Sequence, residues 1–156
     1  MENIGNYREK IQQKLITKFP GLSNWIYLTA LAIYTLAMSL KGTMLVNFLI
    51  TERGLFYLSA FPAALVLFKV TFLDDYDLKE YIIFILLEII LFAVGTSANE
   101  FQIFYLMFFI VGAKNINIDR ILKVFLGINL FVIALAFFFS TVGSVKNVII
   151  TRGHSH

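Results

Sequence analysis

Apolar runs of bilayer length, cut apart by short polar connectors, constrain this chain more than any other feature. They extend over Leu22–Leu40, Gly54–Leu73, Tyr81–Ala98, Phe101–Ala113 and Ile121–Val142. A helix needs about 20 apolar residues to cross a hydrocarbon core of roughly 30 Å. Four of the runs meet that requirement. The fourth in chain order, Phe101–Ala113, is short enough to be either a tight hairpin with the third, turning through "GTSANE", or a re-entrant segment. Composition agrees with a lipid-facing chain: 59% of its 156 residues are hydrophobic, 15% are charged, and the mean hydropathy is +0.80. Soluble domains carry about 25% charged residues, so too few charges are present here to cover a water-facing surface. A soluble enzyme, a disordered region, a disulfide scaffold and a nucleic-acid-binding domain are thereby excluded. The expected fold is all-α: one transmembrane domain over 1–156, with a cytoplasmic amphipathic segment (1–21), a five-span helical bundle (22–142) and an outer-face tail (143–156).

Charge sets the expected orientation. The net charge is +3, and in a membrane protein basic residues collect on cytoplasmic loops against anionic headgroups. With the N terminus inside, the cytoplasmic face holds nine basic residues: Arg8, Lys10, Lys14, Lys18, Lys69, Lys79, Lys114, Arg120 and Lys123. The outer face holds four: Lys41, Arg53, Lys146 and Arg152. The expected location is therefore a multi-pass position in the cell membrane, N terminus cytoplasmic and C terminus outside, with the lipid bilayer as the principal partner. Ile4, Tyr7, Ile11, Leu15 and Phe19 recur at spacings of three and four. That makes one apolar helical face, and a basic amphipathic helix of this kind lies on headgroups; Pro20 and Gly21 are expected to end it. The opening "MENIGNYREKIQQKLITKFPG" is too polar for a cleavable signal peptide, so the first span is expected to serve as its own insertion signal. Cysteine is absent, which removes disulfides, thiolate chemistry and Cys-based zinc sites. No cofactor and no nucleic-acid partner are expected.

Few polar residues interrupt the spans. Glu88 stands near the middle of the third, where an ionisable group marks a functional site by default. Lys69 lies eight positions before Asp77, the centre of the loop "DDYDLKE", and Glu88 eleven after it. At ~1.5 Å per residue a symmetric hairpin would place the two at nearly the same depth, so an intramembrane Lys69–Glu88 pair is expected. A polar substrate cavity and a proton or ion path are the other roles open to Glu88. Pro62, in "SAFPAAL", is expected to kink the second span, with Ser59, Ala60, Ala63 and Ala64 allowing close helix approach. The acidic cluster Asp74, Asp75, Asp77 and Glu80 lacks the spacing of a calcium loop and reads as a solvated connector; no metal site is expected. In the tail, Arg152 offers a planar fork for phosphate oxygens, and His154 and His156 can exchange protons near neutral pH. A frayed terminus is the alternative.

The stretch from Phe101 to His156 resembles the middle of Wzy-type bacterial polysaccharide polymerases, in the O-antigen polymerase and ligase group. The likeness rests on a short span ending in Gly112-Ala113-Lys114-Asn115, then Ile118, Arg120 and Lys123 opening the next span, then Gly143 and Arg152 before a polar turn. The resemblance implies a membrane glycosyltransferase for capsule or exopolysaccharide synthesis that joins repeat units carried on undecaprenyl pyrophosphate. It also implies other polysaccharide-assembly membrane proteins as partners. Arg152 would contact the lipid pyrophosphate, and Arg152 and His154 would stand at the edge of the catalytic site. The family's further spans and large external loop have no counterpart in these residues, so the chain is expected to be an N-terminal portion, inactive at this length. A small non-enzymatic membrane interaction or assembly protein is the alternative, and a transporter or channel component a third reading.

Overall fold

The computed structural model describes residues 13–14, 17–19, 21–41, 43, 52–98 and 100–141, with the side chains at 52, 53, 55 and 56 outside the description. These residues form five helices and no strand: α1 (Leu22–Lys41), α2 (Glu52–Phe72), α3 (Leu78–Ala98), α4 (Gln102–Gly112) and α5 (Ile118–Thr141). All five follow the apolar runs to within a few residues. Two of them, α3 and α5, are long and apolar enough to cross a membrane. Of the amphipathic N-terminal face, only Phe19 is among the described residues, and it is exposed; Gln13, Lys14, Thr17 and Lys18 are helical and exposed. Ile4, Tyr7, Ile11 and Leu15 lie outside the description, as do Gly143, Lys146, Arg152, His154 and His156. Gly21 has φ +92°, a left-handed conformation that glycine adopts without steric cost, and α1 starts directly after it.

The helices run alternately up and down. One end of the assembly holds the start of α1, the α2–α3 loop and the α4–α5 turn, where Asn115 takes the left-handed conformation (φ 63°) that Asn tolerates. At the opposite end Lys41 meets Glu100 at 3.4 Å across two exposed side chains, a contact worth at most about 1 kcal/mol.

Helix α1 is the axis of the packing. It touches α2, α5 and α4, while α4 also packs on α2 and α3. Seven of its residues are buried: Tyr27, Ala30, Leu31, Tyr34, Thr35, Ala37 and Leu40. Several of its polar side chains bond to the neighbouring elements, Ser23, Tyr27, Tyr34 and Ser39 among them. Ser39 donates to Asn129 of α5 at 2.8 Å, beside a small cluster of Leu40 and Val132. On another face Tyr27 and Tyr34, seven residues apart, donate to Phe109 O at 3.0 Å and Gln102 O at 3.1 Å, also seven apart on α4. Matching intervals set the register of this antiparallel pair, and the Tyr34 and Phe109 rings stack at 4.6 Å between them.

Pro62 sits buried inside α2 without ending it. Ser59 and Ala63 are buried beside it, whereas Ala64 faces outward. Gly112, the last residue of α4, packs directly against Val66 of α2 and Tyr27 of α1. A Cβ there would overlap Val66 Cγ1 and press on the Tyr27 ring at 3.4 Å, whereas one at Gly127 would meet nothing within 4 Å. Gly112→Ala is therefore expected to lower stability by about 1–3 kcal/mol through overpacking. Gly127→Ala should be neutral or gain a few tenths of a kcal/mol to about 1 kcal/mol in helix propensity. Thermal unfolding of both variants in one detergent checks the contrast; equal midpoints would contradict the close α2–α4 approach.

Candidate functional site

Helix α4 has 11 residues, about 16 Å at 1.5 Å per residue, and its C-terminal end lies inside the protein. Any helix ends with four carbonyls that have no partner within it, and out of water each must find a donor. All four are matched here. Phe109 O accepts from Tyr27 Oη, Ile110 O from the Ala113 N–H at 3.4 Å, and Val111 O from Tyr76 Oη and the Lys114 N–H. Gly112 O accepts from Lys69 Nζ at 2.8 Å. An ammonium at a helix C-terminus also complements the negative end of the macrodipole.

Lys69 is completely buried and Asp74 nearly so, at 0% and 2% exposure, and their charged atoms are 2.6 Å apart. The loop makes this pairing. Lys69 O accepts from both the Leu73 and Asp74 N–H groups, which wraps the chain back and returns the Asp74 side chain to the lysine. Ser23 Oγ of α1 donates to Asp74 Oδ1 at 3.4 Å, and Lys69 Nζ reaches Lys114 O at 3.3 Å. The Tyr27 ring lies 5.7 Å from the ammonium, within cation–π range. Burial pushes the Asp74 carboxyl above its usual range, against the opposing pull of Lys69, Ser23 and Lys114. Burial, helped by the charges of Asp74 and Glu80, pushes the Tyr76 hydroxyl up to about 12, so it stays a donor.

A more exposed layer covers this cluster. Lys114 Nζ donates to Asp75 O at 2.7 Å and Glu80 Oε2 at 2.9 Å, and stands 4.0 Å from the centre of the Tyr76 ring. Glu80 Oε2 also accepts the Asp77 N–H at 2.9 Å, one half of a capping box at the start of α3. The acidic cluster is thus divided. Asp75, Asp77 and Glu80 are exposed, but Asp74 is a core residue rather than part of a solvated connector.

The expected Lys69–Glu88 pair is not formed. Lys69 lies three residues from the end of α2 and Glu88 ten from the start of α3, depths of about 4–5 Å and about 15 Å. Residues 73–77 are non-helical, so depth runs from the helix ends and not from a loop centre. Glu88 does face protein, on the side of α3 that also buries Phe84 and Gly95, yet neither carboxylate oxygen has a hydrogen-bond partner among the described residues. Asp74, Ser23, Tyr27, Tyr76 and Gly112 were not singled out with Lys69 in the sequence. A Lys and an Asp five apart across a helix end, and two tyrosines seven apart, are the available signals. Comparisons with protein-family models, curated proteins and solved structures found no match.

Removing one member of a buried pair strands the other charge, at a cost of about 3–5 kcal/mol. Lys69→Met should cost at least that much, since it also uncaps α4. Asp74→Leu added to it should cost far less than the sum of the two single changes. Glu88→Leu added to Lys69→Met should simply add. Unfolding free energies for this set check the assignment, and strong coupling to Glu88 in place of Asp74 would refute it.

Proposed function

We propose that this chain is an integral membrane protein whose five helices all enter the bilayer and whose role is assembly: a helical module that associates with other membrane components. The observation that carries this reading is the use made of the inner polar groups. Lys69, Asp74, Tyr27, Tyr34 and Tyr76 are committed to holding α4 against α1, α2 and the α2–α3 loop. They build a rigid unit. Outside it, α3 and α5 expose apolar flanks, including Ile82, Ile83, Leu86 and Ile90 on one and Leu126, Leu130, Ile133 and Phe137 on the other. Surfaces of that kind suit lipid tails and the helices of partner proteins.

Basic residues support a cytoplasmic placement for one end. Lys69, Lys79, Lys114, Arg120 and Lys123 stand toward the end that holds the α2–α3 loop and the α4–α5 turn, and Lys41 stands at the other. By the positive-inside tendency the first end is cytoplasmic, as is the N terminus, which leaves 143–156 outside.

A second reading is favoured by the resemblance of Phe101–His156 to Wzy-type polymerases. In that reading the module is part of an enzyme acting on undecaprenyl-pyrophosphate-linked repeat units, with Arg152 at the pyrophosphate and His154 beside the acceptor hydroxyl. Expression in a strain lacking its repeat-unit polymerase, of this chain and of a version extended through any downstream reading frame, separates the two. Long polymer from the extended version alone supports the enzyme portion, and membrane-inserted protein without polymer from either supports the assembly module.

Topology is open to direct measurement, because a chain without native cysteine gives clean single-Cys labelling. Asn117→Cys should resist an impermeant maleimide in intact cells, and Glu100→Cys should react. The reverse pattern would invert the orientation, and recovery of the chain in the soluble fraction would reject the membrane reading.

A further inference from the structure

Glu88 has ten residues of α3 on either side of it, which places it at the centre of the helix. Phe84 and Phe92 stand four residues before and after it, on the same helical face. Opposite, α4 presents Phe104 and Phe108, again four apart. The rings interlock edge to face: Phe84 with Phe108 at 5.7 Å, Phe92 with Phe104 at 5.6 Å, and Phe104 with Phe108 at 5.3 Å. With Leu67, Ile85 and Ile89 they line a groove of about 350 Å³ in which Glu88 is the only ionisable group among the described residues. The groove opens past Ile85 and Ile89, which are 52% and 60% exposed.

A carboxylic side chain nine-tenths buried, with both oxygens unpartnered among the described residues, is expensive in an apolar setting. The surrounding rings do not relieve that cost. Phenyl rings offer a carboxylate no N–H or O–H donor, and a ring face favours a cation over an anion. One ligand chemistry satisfies every element of the groove. Its N–H donors would meet the carboxylate oxygens, its positive charge would neutralise the carboxylate and lie near the rings, and its apolar aromatic body would fill the remaining volume. The groove's size falls at the lower end of small-molecule sites, which run from about 300 to 1,000 Å³.

We propose that the groove between α3 and α4 is a binding site for a lipophilic organic cation bearing N–H donors, with Glu88 as its anchoring residue. The site rests on the membrane reading above, since a ligand of this class reaches α3 through the lipid. Protonated 9-aminoacridine is a suitable probe: it is a fluorescent aromatic cation with N–H donors, and acridine, nearly the same shape, is neutral at pH 7.5. The full chain in lipid nanodiscs should bind 9-aminoacridine saturably above the background of empty nanodiscs. Glu88→Gln and Glu88→Leu should each weaken that binding by about tenfold or more, the worth of one charge-assisted hydrogen bond. Ile89→Trp, which narrows the open side of the groove and keeps the carboxyl, should weaken it to a similar extent. Neither Glu88 variant should unfold at a lower temperature than the parent, because no internal bond is lost. Acridine should bind weakly and without regard to residue 88. Parent-level affinity in both Glu88 variants, equal binding of acridine and its amino derivative, or no saturable binding by membrane-inserted parent protein would each overturn the site. Carbonate extraction of the same membranes reports separately on the membrane reading.

Discussion

One buried ammonium organises this protein. Lys69 lies where α2 passes the end of α4, and its nitrogen joins three elements at once: the Asp74 carboxylate of the α2–α3 loop, the terminal carbonyl of α4, and the Lys114 carbonyl in the turn that leads to α5. A charge taken out of water is tolerated only when counter-charge and hydrogen bonds surround it. The arrangement therefore works in both directions. The lysine requires Asp74 and the carbonyls, and the buried terminal carbonyl of α4 requires the lysine. Removing any one of them leaves a polar group stranded in the interior.

Short length makes α4 dependent on this support. Eleven residues form a marginal helix on their own, and α4 is secured at several levels by side-chain donors from its neighbours. Tyr34 holds the first turn, Tyr27 the last, and Tyr76 and Lys69 the final carbonyls. Each hydroxyl bond contributes only about 1 kcal/mol net, but an unmade one would cost more in an apolar setting. Tyrosine suits the task because its ring joins the apolar cluster while its hydroxyl serves the backbone. Tyr27 does both, being buried in the main core and close to the Lys69 ammonium.

Against this tightly satisfied interior, the groove at Glu88 is the exception. Tyr27, Tyr34, Lys69 and Asp74 all have assigned partners, whereas a carboxyl at the centre of α3 is enclosed by phenyl rings with no donor in reach among the described residues. Local rules that fail at one place in an otherwise consistent structure are expected at functional or strained sites.

The five helices were legible in the sequence because burial and lipid both demand long unbroken apolar runs, and backbone hydrogen bonding out of water leaves helix as the economical solution. Their limits were legible too, from Gly21, Lys41, the "DDYDLKE" loop and the turn at Asn115. The inward direction of Glu88 follows from the cost of an ionisable group among apolar surroundings. The exposure of α3 and α5 does not follow from hydropathy, since α1 is apolar too and is largely covered. Partner choice was not legible. Whether Lys69 meets Glu88 or Asp74 turns on where α2 stops and how the next five residues fold back, a matter of a few ångströms that periodicity does not encode. Seven-residue spacing gave Tyr27 and Tyr34 one face, but only the docking of α4 decided which carbonyls they would serve. Sequence alone determined that the chain is helical and where its apolar segments begin and end, because those depend on residue type and order. Tertiary structure decided which buried charges are neutralised and which one is left open, because that depends on distances between segments far apart in the chain.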